Sequence, residues 1–444
     1  MIRKLPPPQV HIETFGCQMN ESDSELVRSM LKQEGFAFTS DRERADVLLV
    51  NTCAIRENAH NKIYAHLSEL KGLKKQRPLV VGVLGCMAQS LKSELAEKEP
   101  LIDVLAGPDA YRQLPVLISN AMVAQEQGFS QKGFALDLSE YETYEGVLPD
   151  RDNGVNAWIT IMRGCDNFCS FCVVPYTRGR ERSRDPDAIL AEARDAAARG
   201  FKQITLLGQN VNSYRHGDWD FAELITAVAN TAGILRVRFT SPHPKDFPSA
   251  LIDAIATHPN ICKHIHLPLQ SGSDRILDLM GRTYSGEEYL ALVQRIRTTI
   301  PDIVLTTDII CGFCSETEED FLRTQRIVEQ ARLDSAYIFK YSERKNTIAA
   351  RKYPDDIPEP VKGSRVAKLV DIQRQITLER NRQYIGKTLE ILIERDATRS
   401  ATQGMGKTDG NITVVWDKGN SLFEPGTMIT KRIFEASAAT LYGE

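Results

Sequence analysis

The stretch Arg163-Gly164-Cys165-Asp166-Asn167-Phe168-Cys169-Ser170-Phe171-Cys172 decides how the rest of the chain is read. It sets three cysteines at Cys-x3-Cys-x2-Cys on one short segment. Three thiolates at that spacing hold three corners of a cube of iron and sulfide. The missing fourth leaves one iron open to a ligand that is not protein. Two other readings stand beside this one. A zinc site takes four ligands, in paired Cys-x2-Cys or His-x3-His groups, and no Cys or His follows here at such spacing. A chance cluster of buried thiols conflicts with Gly164, Asp166, Asn167 and Ser170, which read as an exposed loop.

The bulk of the chain narrows the setting. Its 444 residues are enough for two or three domains, and 42% hydrophobic with 26% charged residues is the composition of a soluble globular protein. The formal net charge of −4 means that any nucleic-acid contact comes from local basic patches. The start, Met1-Ile2-Arg3-Lys4-Leu5-Pro6-Pro7-Pro8, carries no apolar signal region, and no run is long and apolar enough for a membrane. A cytoplasmic protein is expected, where nine cysteines bind metal more readily than they pair.

The N-terminal part alternates strand and helix. Val10 to Thr14 reads as a strand ending at Gly16-Cys17. A helix follows, with Ser22-x-x-Glu25 as its capping box and Leu26, Met30 and Leu31 on the apolar side. Val47 to Val50 is a buried strand ending at Asn51-Thr52-Cys53, and a helix runs from near Arg56 to Lys75. Leu79 to Leu84 is a third strand, ending at Gly85-Cys86. Such alternation predicts a parallel sheet, and ligands of parallel sheets sit outside the carboxyl ends of the strands. Cys17, Cys53 and Cys86 each follow such an end, so they are expected to converge as a second trio of metal ligands. Three unrelated buried thiols are the alternative. Residues 125–155 are polar and glycine-rich, and read as a connection.

From Ala157 the rhythm resumes. Strands are predicted at Trp158–Met162, Gln203–Leu207, Arg236–Thr240, His264–Leu269, Ile303–Asp308 and Ala336–Lys340. Six βα units make a partial (β/α)6 barrel with its site at the carboxyl face. Cys165, Cys169 and Cys172 follow the first strand there. So do Gln209, Asn210, Ser241, Gln270, Ser271, Asp308 and Tyr341, polar groups suited to a nucleotide-like cofactor or equally to turns and caps. Val361 to Ile385 reads as one long charged helix. The tail, with strands at Leu389–Ile393, Ile412–Val415 and Met428–Ile433, suits a small β-barrel. Arg399, Lys407, Lys431 and Arg432 would give it a basic face for single-stranded nucleic acid; a barrel that only packs on its neighbour is the bland alternative.

The Cys-x3-Cys-x2-Cys spacing, with aromatic Phe171 before the last cysteine, resembles the radical S-adenosylmethionine (SAM) superfamily. With the early trio and the β tail, nearly the whole chain resembles the methylthiotransferases. The resemblance implies an N-terminal methylthiotransferase domain over 8–125, a radical-SAM domain over 151–382 and an RNA-binding TRAM barrel over 383–444. Asn51-Thr52-Cys53-Ala54-Ile55-Arg56-Glu57-Asn58-Ala59 and Val174-Pro175-Tyr176-Thr177-Arg178-Gly179-Arg180-Glu181-Arg182-Ser183-Arg184 are similar to the branch that acts on tRNA bearing isopentenyladenosine beside the anticodon. Cys314-Ser315 stands where Pro-Gly is usual, Arg344-Lys345-Asn346-Thr347 lacks a usual glycine, and Lys407 replaces a common arginine. Cys262, Cys311 and Cys314 match no ligand position.

The resemblance further implies two 4Fe–4S clusters, on Cys17/Cys53/Cys86 and on Cys165/Cys169/Cys172. Two SAM molecules are used per turnover, one as methyl donor and one as source of a 5′-deoxyadenosyl radical. No side chain is catalytic. Phe171, Gln209, Asn210, Ser241, Gln270, Ser271 and Tyr341 are the expected cofactor contacts. Partners would be a tRNA anticodon stem-loop and an electron donor such as flavodoxin or ferredoxin, with the enzyme a monomer. Arg178, Arg180, Arg182 and Arg184 alternate, so in an extended segment all four face one way. They are expected to bind substrate together with Asp308 and Lys407, a solvated charge run being the alternative. Two other activities remain open: methylthiolation of threonylcarbamoyladenosine tRNA or of a ribosomal-protein aspartate, and RNA binding by a non-catalytic iron–sulfur protein.

Overall fold

The computed structural model describes residues 6–54, 57–152, 154–396, 400, 402–419 and 423–444. Ile55 and Arg56 of the tRNA-branch motif, the start of the second helix near them, and Arg399 lie outside the described residues. The chain forms two compact units. The first comprises Met1–Asp152, Met162–Asp166 and Cys172–Ala188; the second comprises Asn153–Ile161, Asn167–Phe171 and Ile189–Glu444.

The first unit is built on strands β1 (Gln9–Phe15), β2 (Ala37–Phe38), β3 (Val47–Thr52), β4 (Val80–Gly85), β5 (Val104–Ala106) and β6 (Gly133–Ala135). They form one sheet of order β2-β1-β3-β4-β5-β6, parallel throughout. Helices α1 (Gln18–Gln33), α2 (Glu57–Gln76), α3 (Cys86–Leu91), α4 (Ser93–Lys98) and α5 (Leu114–Glu126) connect and cover it. The period of two sends Val47 and Leu49 to one face, with Leu26, Leu31 and Ile118, and Leu48 and Val50 to the other, with Ile63 and Leu67. A strand buried on both faces is why β3 reads as an unbroken apolar run. Each such side chain contributes about 1.5–3 kcal/mol through burial.

Two expectations are corrected here. Helix α1 starts at Gln18, with Cys17 as its N-cap, so the Ser22-x-x-Glu25 box lies inside the helix. The reason is tertiary. Asn20 and Ser24 bond to Asn51 next to the end of β3, which draws the first turn against the sheet. Residues 125–155 do more than connect: they add β6 and bury Tyr144 and Val147 in the first core.

Strand β7 (Asn156–Thr160) opens the second unit. The two-residue strands β8 (Met162–Arg163) and β9 (Arg182–Ser183), antiparallel, and helix α6 (Val174–Arg178) between them belong to the first. The second unit then continues through α7 (Pro186–Ala198), β10 (Gln203–Leu207), the small hairpin β11 (Arg215–His216) and β12 (Trp219–Asp220), and α8 (Phe221–Ala229). Next come β13 (Arg236–Phe239), α9 (Ser249–Thr257), β14 (His264–His266), α10 (Asp274–Leu279), α11 (Gly286–Thr299), β15 (Val304–Cys311), α12 (Glu318–Ala331), β16 (Ser335–Lys340), α13 (Ile348–Lys352) and α14 (Glu359–Arg382). Six parallel strands form two ladders, β13-β10-β7 and β14-β15-β16, and a single bridge from Val237 to Ile261 leads from one to the other.

The tail is a closed barrel of order β17-β18-β19-β21-β20, made of β17 (Thr388–Asp396), β18 (Gln403–Thr408), β19 (Thr413–Asp417), β20 (Met428–Ala436) and β21 (Leu441–Gly443). Trp416 fills its core with Ile391, Val414 and Ile433. Within the second unit, Arg236 bonds to the carbonyls of Lys407 (2.6 Å) and Glu390 (3.1 Å), and Arg238 to those of Thr408 and Asp409 (both 2.8 Å). Lys263 N–H donates to the Asp409 carboxylate at 3.0 Å. The barrel therefore sits against the amino ends of β13 and β14.

Candidate iron–sulfur and cofactor centres

In the first unit Cys17 lies just past β1, Cys53 directly after β3 and Cys86 directly after β4, on three neighbouring strands. The three loops are stitched together by side chains that the sequence reading did not single out. Asn20 Nδ2 donates to Asn51 Oδ1 and to the Thr52 carbonyl, both at 3.1 Å, and Asn51 Nδ2 returns a bond to the Asn20 carbonyl at 2.9 Å. Thr52 Oγ1 donates to the Leu84 carbonyl at 2.7 Å. The glycines before two of the cysteines allow this closeness. A Cβ on Gly16 would stand 2.8 Å from the Cys53 Cβ, and one on Gly85 (φ +88°) only 2.6 Å from the Thr52 carbonyl.

The thiols share one electrostatic environment. A hydrogen bond with the Cys53 side chain, followed by the nearby Arg178 charge, outweighs burial and brings the Cys17 thiol down to about 6. Burial pushes the Cys86 thiol up, although Arg178 beside it acts the other way. Arg178 belongs to a buried ionic centre. Asp23, fully buried on α1, accepts from Arg163 Nη2 and Arg178 Nη2, both at 2.7 Å. Burial alone would raise its carboxyl, but Arg178 and Arg163 hold it below the ordinary range. Arg163 also lies over the Tyr144 ring, 4.6 Å from its centroid.

Two guanidiniums on one carboxylate leave positive charge uncompensated, and Arg163 Nε and Nη1 and Arg178 Nη1 are buried with no hydrogen-bond partner among the described residues. A cluster on three thiolates would supply both negative charge and sulfur acceptors. Three sulfur donors with unpartnered N–H groups beside them suit an anionic cluster that keeps one iron open.

The same centre corrects the expected arginine patch. Arg178 lies on α6, not in an extended segment, and Arg178, Arg182 and Arg184 are buried. Arg182 pairs with Asp109 at 2.9 Å. Arg180 alone of the four is exposed, with Asp166 at 3.3 Å. Buried Asp23 and Asp109 recruit two of the four guanidiniums, those of Arg178 and Arg182, and that outweighs the alternation.

The loop of the opening motif is divided: Cys165 and Cys172 belong to the first unit, Cys169 to the second. The Cys165 amide donates to the Gly179 carbonyl at 3.1 Å, fixing it to the turn after α6. Around Cys169, Ser170 donates through its amide to the Met280 carbonyl and through its hydroxyl to Leu279, and accepts from the Ala349 amide, each at 2.7 Å. Arg282 Nη1 donates to Cys169 Sγ at 3.4 Å. No sequence signal had singled out Arg282, which lies far along the chain.

The expected cofactor contacts all lie in the second unit. Gln209 and Asn210 follow β10, Ser241 follows β13 and Tyr341 follows β16. Ser241 (φ 59°) and Gln270 (φ 67°) are non-glycine residues in the left-handed region, strain that points to a functional site. Gln270 is held by the Asp308 carbonyl and the Ile310 amide, and its buried Oε1 has no partner among the described residues. Ser271 is corrected: fully buried, its hydroxyl is taken by Thr324 (3.3 Å) and the Ser273 amide (3.2 Å), a structural cap.

Asp308 lies within β15, which runs on to Cys311, and not at a strand end. It shares the less buried face with Thr306, and it meets His266 Nε2 at 3.2 Å. Thr307, on the other face, bonds to Tyr289 of α11, so Asp308 points away from the helices. Lys407, the other expected substrate contact, lies half-buried on β18. Its side chain bonds to Thr413 at 2.8 Å, burial lowers its pKa, and its carbonyl receives Arg236 at the amino ends of the strands. Arg432 and Phe434 are exposed on β20, as are Thr430 and Glu435, while Lys431 is half-buried.

Residues 9–107 match the family described as Uncharacterized protein family UPF0004, residues 159–328 the Radical SAM superfamily and residues 382–444 the TRAM domain. The radical-SAM match implies a 4Fe–4S cluster and SAM. A protein of Porphyromonas gingivalis strain W83, named tRNA-2-methylthio-N(6)-dimethylallyladenosine synthase, is 48% identical over 446 residues, 98% of this chain and 94% of that protein. Proteins of the same name from Chlorobium luteolum (46% identical, 98% of this chain and 96% of theirs) and Bacteroides thetaiotaomicron (47%, 98% and 96%) are similar over the same span. Among solved structures, the radical SAM methyltransferase TsrM of Kitasatospora setae has a TM-score of 0.56 at 13% identity, covering 78% of this chain and 74% of its own. The cobalamin-dependent radical SAM enzyme OxsB reaches 0.52 at 14% identity, covering 83% and 56%. These two likenesses concern the fold. At 46–48% identity over nearly its whole length, the chain belongs to the radical-SAM methylthiotransferase family of the tRNA-2-methylthio-N(6)-dimethylallyladenosine synthases.

Proposed function

We propose that this chain is a tRNA methylthiotransferase that converts isopentenyladenosine beside the anticodon to its 2-methylthio derivative. The observation that carries the proposal is the conjunction of a strand-end cysteine trio, with an unsatisfied buried cationic centre beside it, and a radical-SAM loop. This conjunction occurs in a chain nearly half identical to proteins of that name. When bound, two 4Fe–4S clusters and two SAM molecules per turnover would supply the sulfur, the methyl group and a carbon radical strong enough for an aromatic C–H.

The chain's own residues bind, orient and shield. Cys17, Cys53 and Cys86 would hold one cluster, with Arg178 and Arg163 neutralising it. Cys165, Cys169 and Cys172 would hold the other. Gln209, Asn210, Ser241, Gln270, Phe171 and Tyr341 are the proposed SAM contacts, and Asp308 with His266 lines the way to the substrate base. The base must leave its stack to react, as in other enzymes that act on nucleobases. The exposed Arg432 and Phe434 would carry the stem-loop by charge and stacking. We assign domains to 8–125, 151–382 and 383–444, a one-electron donor of the flavodoxin or ferredoxin class, a monomeric state and a cytoplasmic location. Mass spectrometry of tRNA nucleosides from cells with and without the gene tests the activity. Retention of the methylthio group on isopentenylated adenosine without the gene would refute it.

A further inference from the structure

Arg282 is buried, and all three of its nitrogens are engaged: Nε with Tyr284 Oη at 3.0 Å, Nη2 with the Pro268 carbonyl at 3.3 Å and Nη1 with Cys169 Sγ at 3.4 Å. Its plane lies over the Tyr284 ring, 5.1 Å from the centroid. Among the other buried guanidiniums, those of Arg163, Arg178 and Arg182 have a carboxylate and those of Arg236 and Arg238 a pair of carbonyls. Arg282 has one carbonyl, one phenol and a cysteine sulfur, and among the described residues no carboxylate is ion-paired with it. His243, edge-on to Tyr284, is held neutral at about 3 by burial and by Arg282, so it offers no compensating charge. A buried cation with no anion costs several kcal/mol. The group placed to act as that anion is the Cys169 thiolate and whatever it ligates.

Anchoring fixes the pair. Gly281 packs with its Cα side 3.6–3.7 Å from the Phe168 carbonyl and the Cys169 and Ser170 backbone, measured from where a Cβ would stand. Ser170 is tied to Leu279 and Met280, the residues just before Arg282 on the chain. The loop bearing Cys169 and the segment bearing Arg282 therefore move as one body.

We propose that Arg282 is a positioning residue for the radical-generating centre: its fixed charge and hydrogen bond to Cys169 stabilise the reduced, more negative state of the cluster and raise its potential. This rests on the reading that Cys165, Cys169 and Cys172 hold a 4Fe–4S cluster. In that step one electron passes from the external one-electron donor to the cluster, which becomes one unit more negative, and the guanidinium keeps its proton. At the effective dielectric of a protein interior, a charge this close shifts such an equilibrium by more than tenfold.

The test uses full-length protein carrying Cys53→Ala and Cys86→Ala, which leaves one proposed cluster, and reads the midpoint potential by EPR-monitored redox titration. Arg282→Gln is expected to lower the potential by a tenfold or greater change in the redox equilibrium, about 59 mV or more for one electron. Arg282→Lys, which keeps the charge on a shorter reach, should shift it in the same direction by less. Tyr284→Phe, which removes a hydrogen bond and no charge, should leave it within threefold. If Arg282→Gln fails to load iron, the Lys variant decides. A loaded variant with unchanged or raised potential overturns the inference, as does weakened SAM binding with the potential unmoved. Absence of any such cluster in the parent protein would instead sink the reading beneath it.

Discussion

Asp23→Asn keeps the shape of the buried ionic centre and removes the carboxylate charge to which both Arg163 and Arg178 are bonded. The native carboxylate is fully buried and bonded at 2.7 Å to both Arg163 and Arg178, with the Tyr111 hydroxyl at 3.4 Å. Removing one partner of a buried ion pair costs about 3–5 kcal/mol, because the remaining charge stays desolvated. Here two guanidiniums are stranded, so the upper half of that range is expected in protein without clusters. A chain of two units does not unfold in one step, so a global unfolding energy is a poor readout. Native-state hydrogen exchange at the β3 amides, at the centre of the first sheet, reads the affected unit directly. A loss of about 4–5 kcal/mol corresponds to exchange faster by roughly three to four orders of magnitude. Adding Arg178→Met should recover part of the loss, since the two changes touch one network. The pH dependence follows with the same sign. The Asp23 pKa is depressed, so its contribution is complete above the ordinary carboxylate value of about 3.9 and vanishes as pH falls through the lower native value. Exchange in the Asn variant within threefold of the parent at neutral pH would falsify the reasoning.

Gly85→Ala forces a left-handed φ and a contact of 2.6 Å with the Thr52 carbonyl, so iron should fall from about eight to about four per chain; full iron content contradicts the assignment of the early trio. In cluster-free protein at pH 7, Cys17, with its thiol near 6, should be alkylated well before Cys86, whose thiol burial raises; peptide mapping after brief iodoacetamide treatment reads the order. Arg236→Ala removes two bonds to barrel carbonyls, each worth about 1.5–3 kcal/mol, and should speed proteolysis between α14 and β17 without altering the barrel's own circular dichroism. Arg432→Glu with Phe434→Ala should weaken tRNA binding and lower its salt slope by about one, whereas Arg180→Glu should do less; equal losses would restore the case for the arginine segment as the binding surface.

How much of this was legible in the chain depends on the range of the interaction concerned. The strands of both units could be read because burial on two faces writes a continuous apolar run, as in Val47 to Val50, and because the cysteines fall at the carboxyl ends that such a sheet dictates. Strand β18, Gln403-Gly404-Met405-Gly406-Lys407-Thr408, was not read. Its glycines are there because Trp416 and the Leu392 carbonyl press on it, and glycine is a poor local signal for a strand. The start of α1 was misplaced for a similar reason. Ser22-x-x-Glu25 has the local form of a cap, but Asn20 bonding across to Asn51 and Thr52 outweighs the energy of one capping box.

The arginine segment shows why charge is harder to read than apolarity. Alternating Arg178, Arg180, Arg182 and Arg184 look like a face turned to RNA, since a guanidinium is normally solvated. What reverses that expectation is the acceptors: Asp23 and Asp109 lie more than sixty residues earlier, and nothing local to either carboxylate announces that it will be buried. Once both are inside, an arginine is the only residue that satisfies them and still has N–H groups to spare. Arg178 applies that surplus beside Cys86 and Cys17, and Arg282 applies the same chemistry beside Cys169. Each cysteine trio thus has a buried cation that no side chain near it in sequence explains. An anionic cluster on each trio, as proposed, would remove both imbalances at once.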